Sequence, residues 1–217
     1  MDLRAIGGAP ESALDERVAA GLPSAAAPAP WKCRCDAIVW SSRPSRAAAA
    51  LTGRHLAVFG ALLAYHASPV GGYREVLGVV GGLSRGRPCG TVPFIAVDSP
   101  ASLVGGRLNW ALPKVLAEFT GEPAGHSMTA TGDGWTITAS ARPLGPAVPA
   151  PLAGQLVQPW PDGTRRAAGL TGRASVQPVL VRVSVRSSGT LAGWLRPGRH
   201  LGLLLRRAEF TLSAPID

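Results

Sequence analysis

The sequence predicts a mainly β (α+β) domain, and three observations carry that expectation. Glycine (27) and proline (20) together exceed a fifth of the 217 residues, a density that suits short strands broken by turns rather than a helical bundle or coiled coil. Apolar residues make up 46% of the chain and charged residues 16%, so one domain of this length can bury a sizeable core. The apolar residues fall into many short runs without a βαβ rhythm, the pattern of a closed or half-closed sheet.

Residues 1–30 are rich in Ala, Pro and Gly and are expected to form a flexible arm, or an oligomer-contact segment, with one short helix within 11–20. The domain proper is expected over 31–217. Within it, 36–41 is expected as a strand, 45–51 as a short helix and 55–66 as a long, largely buried strand. Gly71-Gly72 marks a turn into a strand over 73–80, and a further strand over 92–97 ends at Asp98-Ser99-Pro100. Two short helices are expected over 102–108 and 114–119, with Pro113 suited to a first helical turn. The segments 127–131 and 135–141 form a hairpin around Gly132-Asp133-Gly134, since Asp-Gly is a strong hairpin signal. Residues 143–178 carry Pro143, Pro146, Pro149, Pro151, Pro159, Pro161 and Pro178 and are expected to be mostly loop. Strands over 179–185, within 201–205 and over 209–213 complete the series.

Composition also excludes functions. The apolar run over 56–65 is shorter than the roughly 20 residues that a membrane-spanning helix needs. The first 30 residues hold Asp2, Glu11, Asp15 and Glu16 and lack the apolar run of a secretory leader. A soluble, cytoplasmic protein with no membrane partner is expected. The net charge of +9 invites a nucleic-acid reading, but such proteins gather their charge on one face or stripe. Here the arginines are scattered, with Arg165-Arg166 and Arg206-Arg207 the densest pairs, so a solvated basic surface is the better explanation and no nucleic-acid partner is expected.

Several motifs compete for the chemistry. Gly82-Leu83-Ser84-Arg85-Gly86 matches the G-x-S-x-G nucleophile elbow, which needs a strand, a tight turn and then a helix. Arg87-Pro88 follows at once and disfavours the helix, so Ser84 with Asp162 and His200 makes a poor triad and a glycine-rich hairpin loop is the plainer reading. Cys33, Cys35 and Cys89 lack the paired C-x₂₋₄-C spacing of a zinc site, and no metal is expected; they read as small buried hydrophobes. His66 closes an apolar strand beside Tyr65 and suits a hydrogen bond to backbone, and His126 and His200 carry no distinguishing context.

All but two of the 22 basic residues are arginine, the skew a GC-rich genome produces, and the two lysines are Lys32 and Lys114. Lys114 lies in Trp110-Ala111-Leu112-Pro113-Lys114-Val115-Leu116, with apolar neighbours on both sides. Burial disfavours a charged amine, and a desolvated lysine is a source of imines with ketones and aldehydes. The competing reading is a lysine that begins a helix and snorkels to solvent.

Tyr73-Arg74-Glu75, Asp98, Gly106-Arg107 and Pro113-Lys114, in this order and with Lys114 following Glu75 by 39 residues, resemble the pattern of the acetoacetate decarboxylase-like family. The closing segment 208–212, Ala-Glu-Phe-Thr-Leu, is similar to that family's last strand. The resemblance is strong over 55–119, weaker over 31–54 and 179–214, and absent from 1–30. It implies a closed, cone-shaped antiparallel β-barrel around an apolar pocket, commonly in a homo-oligomer, that works on a small-molecule keto substrate without a cofactor. It also implies that Lys114 forms a Schiff base and that Glu75 relays protons. Arg107 matches the family's arginine, which the resemblance implies is either structural or the contact for a substrate carboxylate, and Arg34 is an approximate counterpart of a carboxylate-binding arginine near the first strand. Tyr65, Tyr73, Trp110 and Leu112 are expected beside the substrate.

Two departures stand out. The family's decarboxylases carry a second lysine directly after the first, where this chain has Val115, leaving desolvation as the activating influence. They also carry a further acid in the strand before Y-x-E, where a gapless match gives Gly60. The expected activity is therefore lysine-imine chemistry on a keto acid, or on a keto group of a natural-product intermediate, by decarboxylation or by aldol, dehydration or cyclisation steps. The alternative is a ligand-binding or shape-guided cyclase barrel that forms no imine.

Overall fold

The computed structural model describes residues 2–53, 55–84 and 87–216, without the side chain of Arg87. After 3-10 turns at Leu3–Ala5 and Pro10–Ser12 come α1 (Glu16–Ala20), β1 (Trp31–Ser42), α2 (Arg46–Thr52), β2 (Ala57–Ala67) and β3 (Tyr73–Ser84). Next are β4 (Arg87–Val97), α3 (Pro100–Trp110), β5 (Lys114–Leu116) and β6 (Glu118–Glu122). A 3-10 turn at Pro123–Gly125 leads into β7 (Ser127–Gly132), β8 (Trp135–Pro143), β9 (Val148–Pro159), β10 (Arg165–Ser187), α4 (Leu191–Trp194) and β11 (Gly198–Leu212). One 11-stranded sheet holds the strands in the order β11-β1-β2-β3-β4-β9-β10-β8-β7-β6, with β5 beside β4 and a further pairing of β10 to β11. The protein is mostly β, as composition and turn density implied.

The pairing is mixed rather than wholly antiparallel, because β4 runs parallel to both β5 and β9. Its contact with β9 is a single pair, Gly90 with Leu156, and side chains complete that seam. The Gln158 amide accepts from the Val92 N–H at 2.8 Å and donates to the Val92 carbonyl at 3.0 Å, and the Thr91 hydroxyl donates to the Val157 carbonyl at 2.8 Å.

Two sequence expectations fail here. The proline-bearing stretch 143–178 is largely strand, in β9 and the first half of β10. Pro149 and Pro151 share one parity on β9, where the partner on one side is β10 and β4 meets the strand only further along. Their missing N–H groups therefore fit an open edge, the place where strands tolerate proline. Pro178 sits where β10 changes partner, between its last pair with β9 at Val176 and its first with β8 at Val179. The second miss is 114–119, which is β5 and the start of β6 rather than helix. The chain leaving α3 meets the edge of β4 and pairs with Ile95, Ala96 and Val97, satisfying backbone groups that a helix at this place would leave unpaired.

The strands β1 to β3 present two unlike faces. Ile38 and Trp40 on β1, Val58 and Leu62 on β2, and Val76 and Val80 on β3 pack into the main core with Met128 and Ile137 of the β7–β8 hairpin, Val181 of β10, Trp194 of α4 and Leu195 just after it. Glycine makes this close packing possible at two points: a Cβ on Gly60 would overlap the Trp40 ring, and one on Gly78 would overlap Trp194. The alternate residues, Leu63 and Tyr65 on β2 and Tyr73, Glu75 and Leu77 on β3, line a cavity instead.

The first part of the arm lies against this body. Ile6, Ala9 and Ser12 are buried, and the Ala9 N–H donates to the Pro93 carbonyl at 2.7 Å. The Glu11 carboxylate accepts from the N–H groups of Thr190 and Leu191 and from the hydroxyls of Ser187 and Thr190, capping the entry to α4. Burial pushes the Glu11 carboxyl up, but the hydrogen bonds, led by that from the Leu191 N–H, outweigh it and hold the group below its ordinary value.

Candidate active site

The site is set by the α3–β5 corner. Ser99 caps α3 by accepting from the Ser102 N–H at 3.2 Å, and Pro100 occupies the first turn. The helix stops at Ala111, which takes a left-handed conformation (φ 50°) as its N–H and that of Leu112 donate to Arg107 and Gly106. Lys114 then pairs with Ile95 of β4, so its side chain points into the cavity while that of Val115 joins the main core on the other side. The alternation of a strand makes the two neighbours face opposite ways, so the residue after Lys114 serves packing.

Lys114 and Glu75 are each 3% exposed. The Lys114 Nζ donates to Glu75 Oε2 at 2.7 Å and to the Ser102 hydroxyl at 3.0 Å, and it lies 5.2 Å from the centroid of the Tyr73 ring. The other Glu75 oxygen, Oε1, accepts from the Tyr65 hydroxyl at 3.1 Å, and the Tyr65 and Tyr73 rings stack with centroids 4.2 Å apart. Desolvation first, and the Glu75 carboxylate second, push both phenols well above the ordinary tyrosine range, so they act as O–H donors. Gly106 faces the lysine stem across α3: a Cβ there would lie 2.6 Å from both Cδ and Cε of Lys114.

The cavity has a volume of about 360 Å³, within the range of roughly 300–1,000 Å³ usual for small-molecule sites. Trp110 and Leu112 line it, with Val92, Ile95, Leu156, Phe210 and Leu212. Cys33 and Cys35 also face it. Burial, and then the Glu75 carboxylate, push the Cys33 thiol up to about 12 and the Cys35 thiol higher still, so both stay protonated and behave as small apolar groups.

Both arginines proposed as anion contacts are placed elsewhere. Arg107 is fully buried, and backbone carbonyls take up its guanidinium: Nε donates to Lys114 at 2.7 Å, and the terminal nitrogens donate to Leu3 at 2.6 Å and Ser12 at 3.0 Å. Burial pulls it down to about 10. It is a clamp that joins the arm to the backbone of Lys114. Arg34 is exposed on β1, in a separate hollow with Lys32 and Arg173. Among the described residues lining the cavity, only Lys114 and Glu75 carry charge.

Gly60 also needs correction as the position of a second acid, because it turns toward Trp40 in the main core. The residue directly across from Glu75 on the cavity face is Leu63. Ser102 and the β9 wall went unnoticed in the sequence. Ser102 had only its place in the first turn of α3 to mark it, and the prolines hid β9.

The competing motifs do not assemble. Gly82, Leu83 and Ser84 end β3, and Arg85 and Gly86 lie outside the described residues. Asp162 bonds Thr164 and Arg166, while His200 bonds the Arg196 carbonyl. His66 meets the Asp36 carboxylate at 3.2 Å rather than backbone. His126 meets Arg206 at 2.6 Å. Among the described residues, no cluster of three His, Cys, Asp or Glu side chains could hold a metal ion, and no helix is long and apolar enough to cross a membrane.

No family model matches the sequence, and no curated protein matches it. Solved structures do. The enduracididine biosynthesis enzyme MppR superposes with a TM-score of 0.59 at 16% identity, covering 88% of each chain, and has also been solved with the condensation product of pyruvate and imidazole 4-carboxaldehyde. Acetoacetate decarboxylase from Legionella pneumophila gives 0.55 at 16% identity, over 87% of this chain and 86% of that one. An acetoacetate decarboxylase-like enzyme from Sphingomonas wittichii gives 0.57 at 14% identity, over 88% and 94%. The chain therefore has the fold of the acetoacetate decarboxylase-like enzymes.

Proposed function

We propose that the protein is a lysine-imine enzyme of the acetoacetate decarboxylase-like family, acting on the keto group of a small molecule. The observation that carries this reading is the buried Lys114 amine on the cavity wall, bound at 2.7 Å to Glu75 and at 3.0 Å to Ser102. Moving one proton along the Lys114–Glu75 hydrogen bond yields a free amine and a carboxylic acid, the pair that addition to a carbonyl requires. The amine nitrogen attacks the carbonyl carbon, and Glu75 gives its proton to the departing oxygen, which leaves as water. The product is a protonated imine beside a carboxylate. A carbon–carbon bond β to the imine carbon then breaks with its electron pair drawn into the imine, leaving an enamine. Protonation at carbon and addition of water release the ketone product and the lysine.

Tyr65 holds the Glu75 oxygen not used by the lysine, and Ser102 fixes the amine from a second side. The strand pairings return from β10 to β11, and we read this ring as the cone-shaped closed barrel, with β4–β9 as its sparsest seam. The fold shared with decarboxylase and biosynthetic enzymes agrees with this chemistry.

The test is borohydride reduction in the presence of carbonyl compounds, read by peptide mass spectrometry. A reduced adduct on Lys114, missing in Lys114→Ala, is expected. That no arginine stands among the described residues lining the cavity favours one alternative, a pocket that binds and folds its ligand without an imine. For that pocket, ligand binding would persist with no adduct at any carbonyl.

A further inference from the structure

The charge inventory of the cavity limits what its substrate can be. A small keto acid needs a cation or several donors for its carboxylate, since a buried carboxylate without a partner is strongly disfavoured. Lys114 is the only cation among the described lining residues, and imine formation occupies it. The three guanidinium donors of Arg107 that bond are spent on backbone carbonyls, and Arg34 lies in a different hollow. Glu75, the other charged group, repels a second carboxylate.

The walls have a direction as well as a composition. Cross-strand pairs run from Lys114 to Ile95, from Ile95 to Leu77, and from Leu77 to Ala61, an apolar row across β5, β4, β3 and β2. Leu205 lines the cavity on β11. The next residues on its face of that strand, Leu203 and Leu201, are 40% and 71% exposed, so an apolar surface continues from the cavity wall to solvent.

Resting on the imine reading above, we infer that the substrate is a neutral ketone or aldehyde carried on an extended apolar body, not a short keto acid. Its carbonyl meets Lys114, and its apolar body lies along Leu77, Ile95 and Leu205. The bond broken or formed beside the imine is then one whose second fragment is neutral, as in aldol or retro-aldol steps. In the cleaving direction, the electron pair of the broken bond enters the imine while a β-hydroxyl gives its proton to Glu75 and becomes the carbonyl of the released aldehyde or ketone.

The experiment measures binding of 2-alkanones from butanone to undecanone, each beside the 3-oxo acid of matching length, by calorimetry on the whole protein. Affinity for the ketones is expected to tighten about threefold to fourfold per added methylene until the cavity is filled, the gain from burying one CH₂. Each acid is expected to bind at least tenfold more weakly than its ketone. Acids that bind as tightly as ketones, or ketone affinities that ignore chain length, would overturn the inference, as would a lack of binding by either series. Borohydride trapping on the same ketones is read separately. Length-dependent binding without an adduct sinks the imine and keeps the substrate class, whereas adducts from short acids alone keep the imine and sink the substrate class. The variant Leu205→Arg places a cation on the wall and is expected to bring acid affinity up at least tenfold; an unchanged preference for ketones in a folded variant counts against the inference.

Discussion

The two faces of β1, β2 and β3 have the same backbone and opposite purposes. On one face, Trp40 and Trp194 are wedged against Gly60 and Gly78 with no room for a methyl group, and Ile38, Leu62 and Val76 are fully buried. On the other, Leu63, Tyr65, Glu75 and Leu77 stand around about 360 Å³ of open volume. The buried polar groups sort the same way. Glu75 and Lys114 lie on the cavity side, where they hold one another. The filled face provides the stability that lets its opposite face stay hollow and carry a desolvated ion pair.

The largest effect expected from breaking this contrast is at Lys114. Lys114→Ala removes all adduct in borohydride trapping. It also leaves the Glu75 carboxylate buried without its cation, lowering stability by about 3–5 kcal/mol in denaturant melts. Replacing the pair together, as Lys114→Met with Glu75→Leu, is expected to restore most of that stability without activity, which separates the chemical role from the structural one. Next is Gly106→Ala, whose new methyl group displaces the lysine stem. It is expected to slow imine formation about 100-fold, the scale of a 1 Å misplacement, while the far-UV spectrum stays native.

A neighbouring pair on β2 tests the two faces directly. Leu62→Ala opens a hole in the filled core and is expected to cost about 2–5 kcal/mol, whereas Leu63→Ala enlarges an existing cavity and is expected to cost under about 1 kcal/mol. Equal costs in chemical denaturation would break the comparison. A smaller effect is expected at the arm. Because the folded Glu11 carboxyl sits below its ordinary value, its contribution is present above the unfolded value and is lost as pH falls through the folded one. Hydrogen-exchange protection over residues 2–20, taken relative to the intrinsic rate at each pH, should therefore fall in acid, and Glu11→Gln should show the lower protection already at neutral pH. The mildest expectation concerns Cys33, whose thiol is pushed up to about 12. It should resist alkylation at neutral pH in the folded protein and react on unfolding.

Much of this was legible in the sequence wherever a signal was local. The alternation over 179–185 reads directly as buried and exposed residues on β10, and Asp133-Gly134 marks the β7–β8 hairpin. The sequence marks Lys114 and Glu75 through four motifs in order along the chain, and the fold brings the two together across β3, β4 and β5. Other features depended on tertiary partners. Pro149 and Pro151 read as loop because nothing local says that their blank sides fall on an edge. Arg107 stays open in the sequence between a structural role and an anion contact, because the carbonyls that occupy it belong to Leu3, Ser12 and Lys114. Gly60 fell on the wrong face because the side-chain period of a strand is two, and a one-residue offset in a hairpin inverts the assignment.

The Arg107 clamp ties assembly of the site to the whole length of the chain. Its partners Leu3 and Ser12 lie 104 and 95 residues away in sequence, and Glu11 reaches Leu191 across 180 residues. Contacts of such separation bear the largest loop-closure entropy and suit late steps of folding. The segment around residues 3–12 is therefore among the last to find its place, after α4 exists to receive Glu11. Until then the backbone of Lys114 has its arginine but the arginine lacks its outer supports, so catalytic competence should trail the appearance of the sheet in a refolding time course.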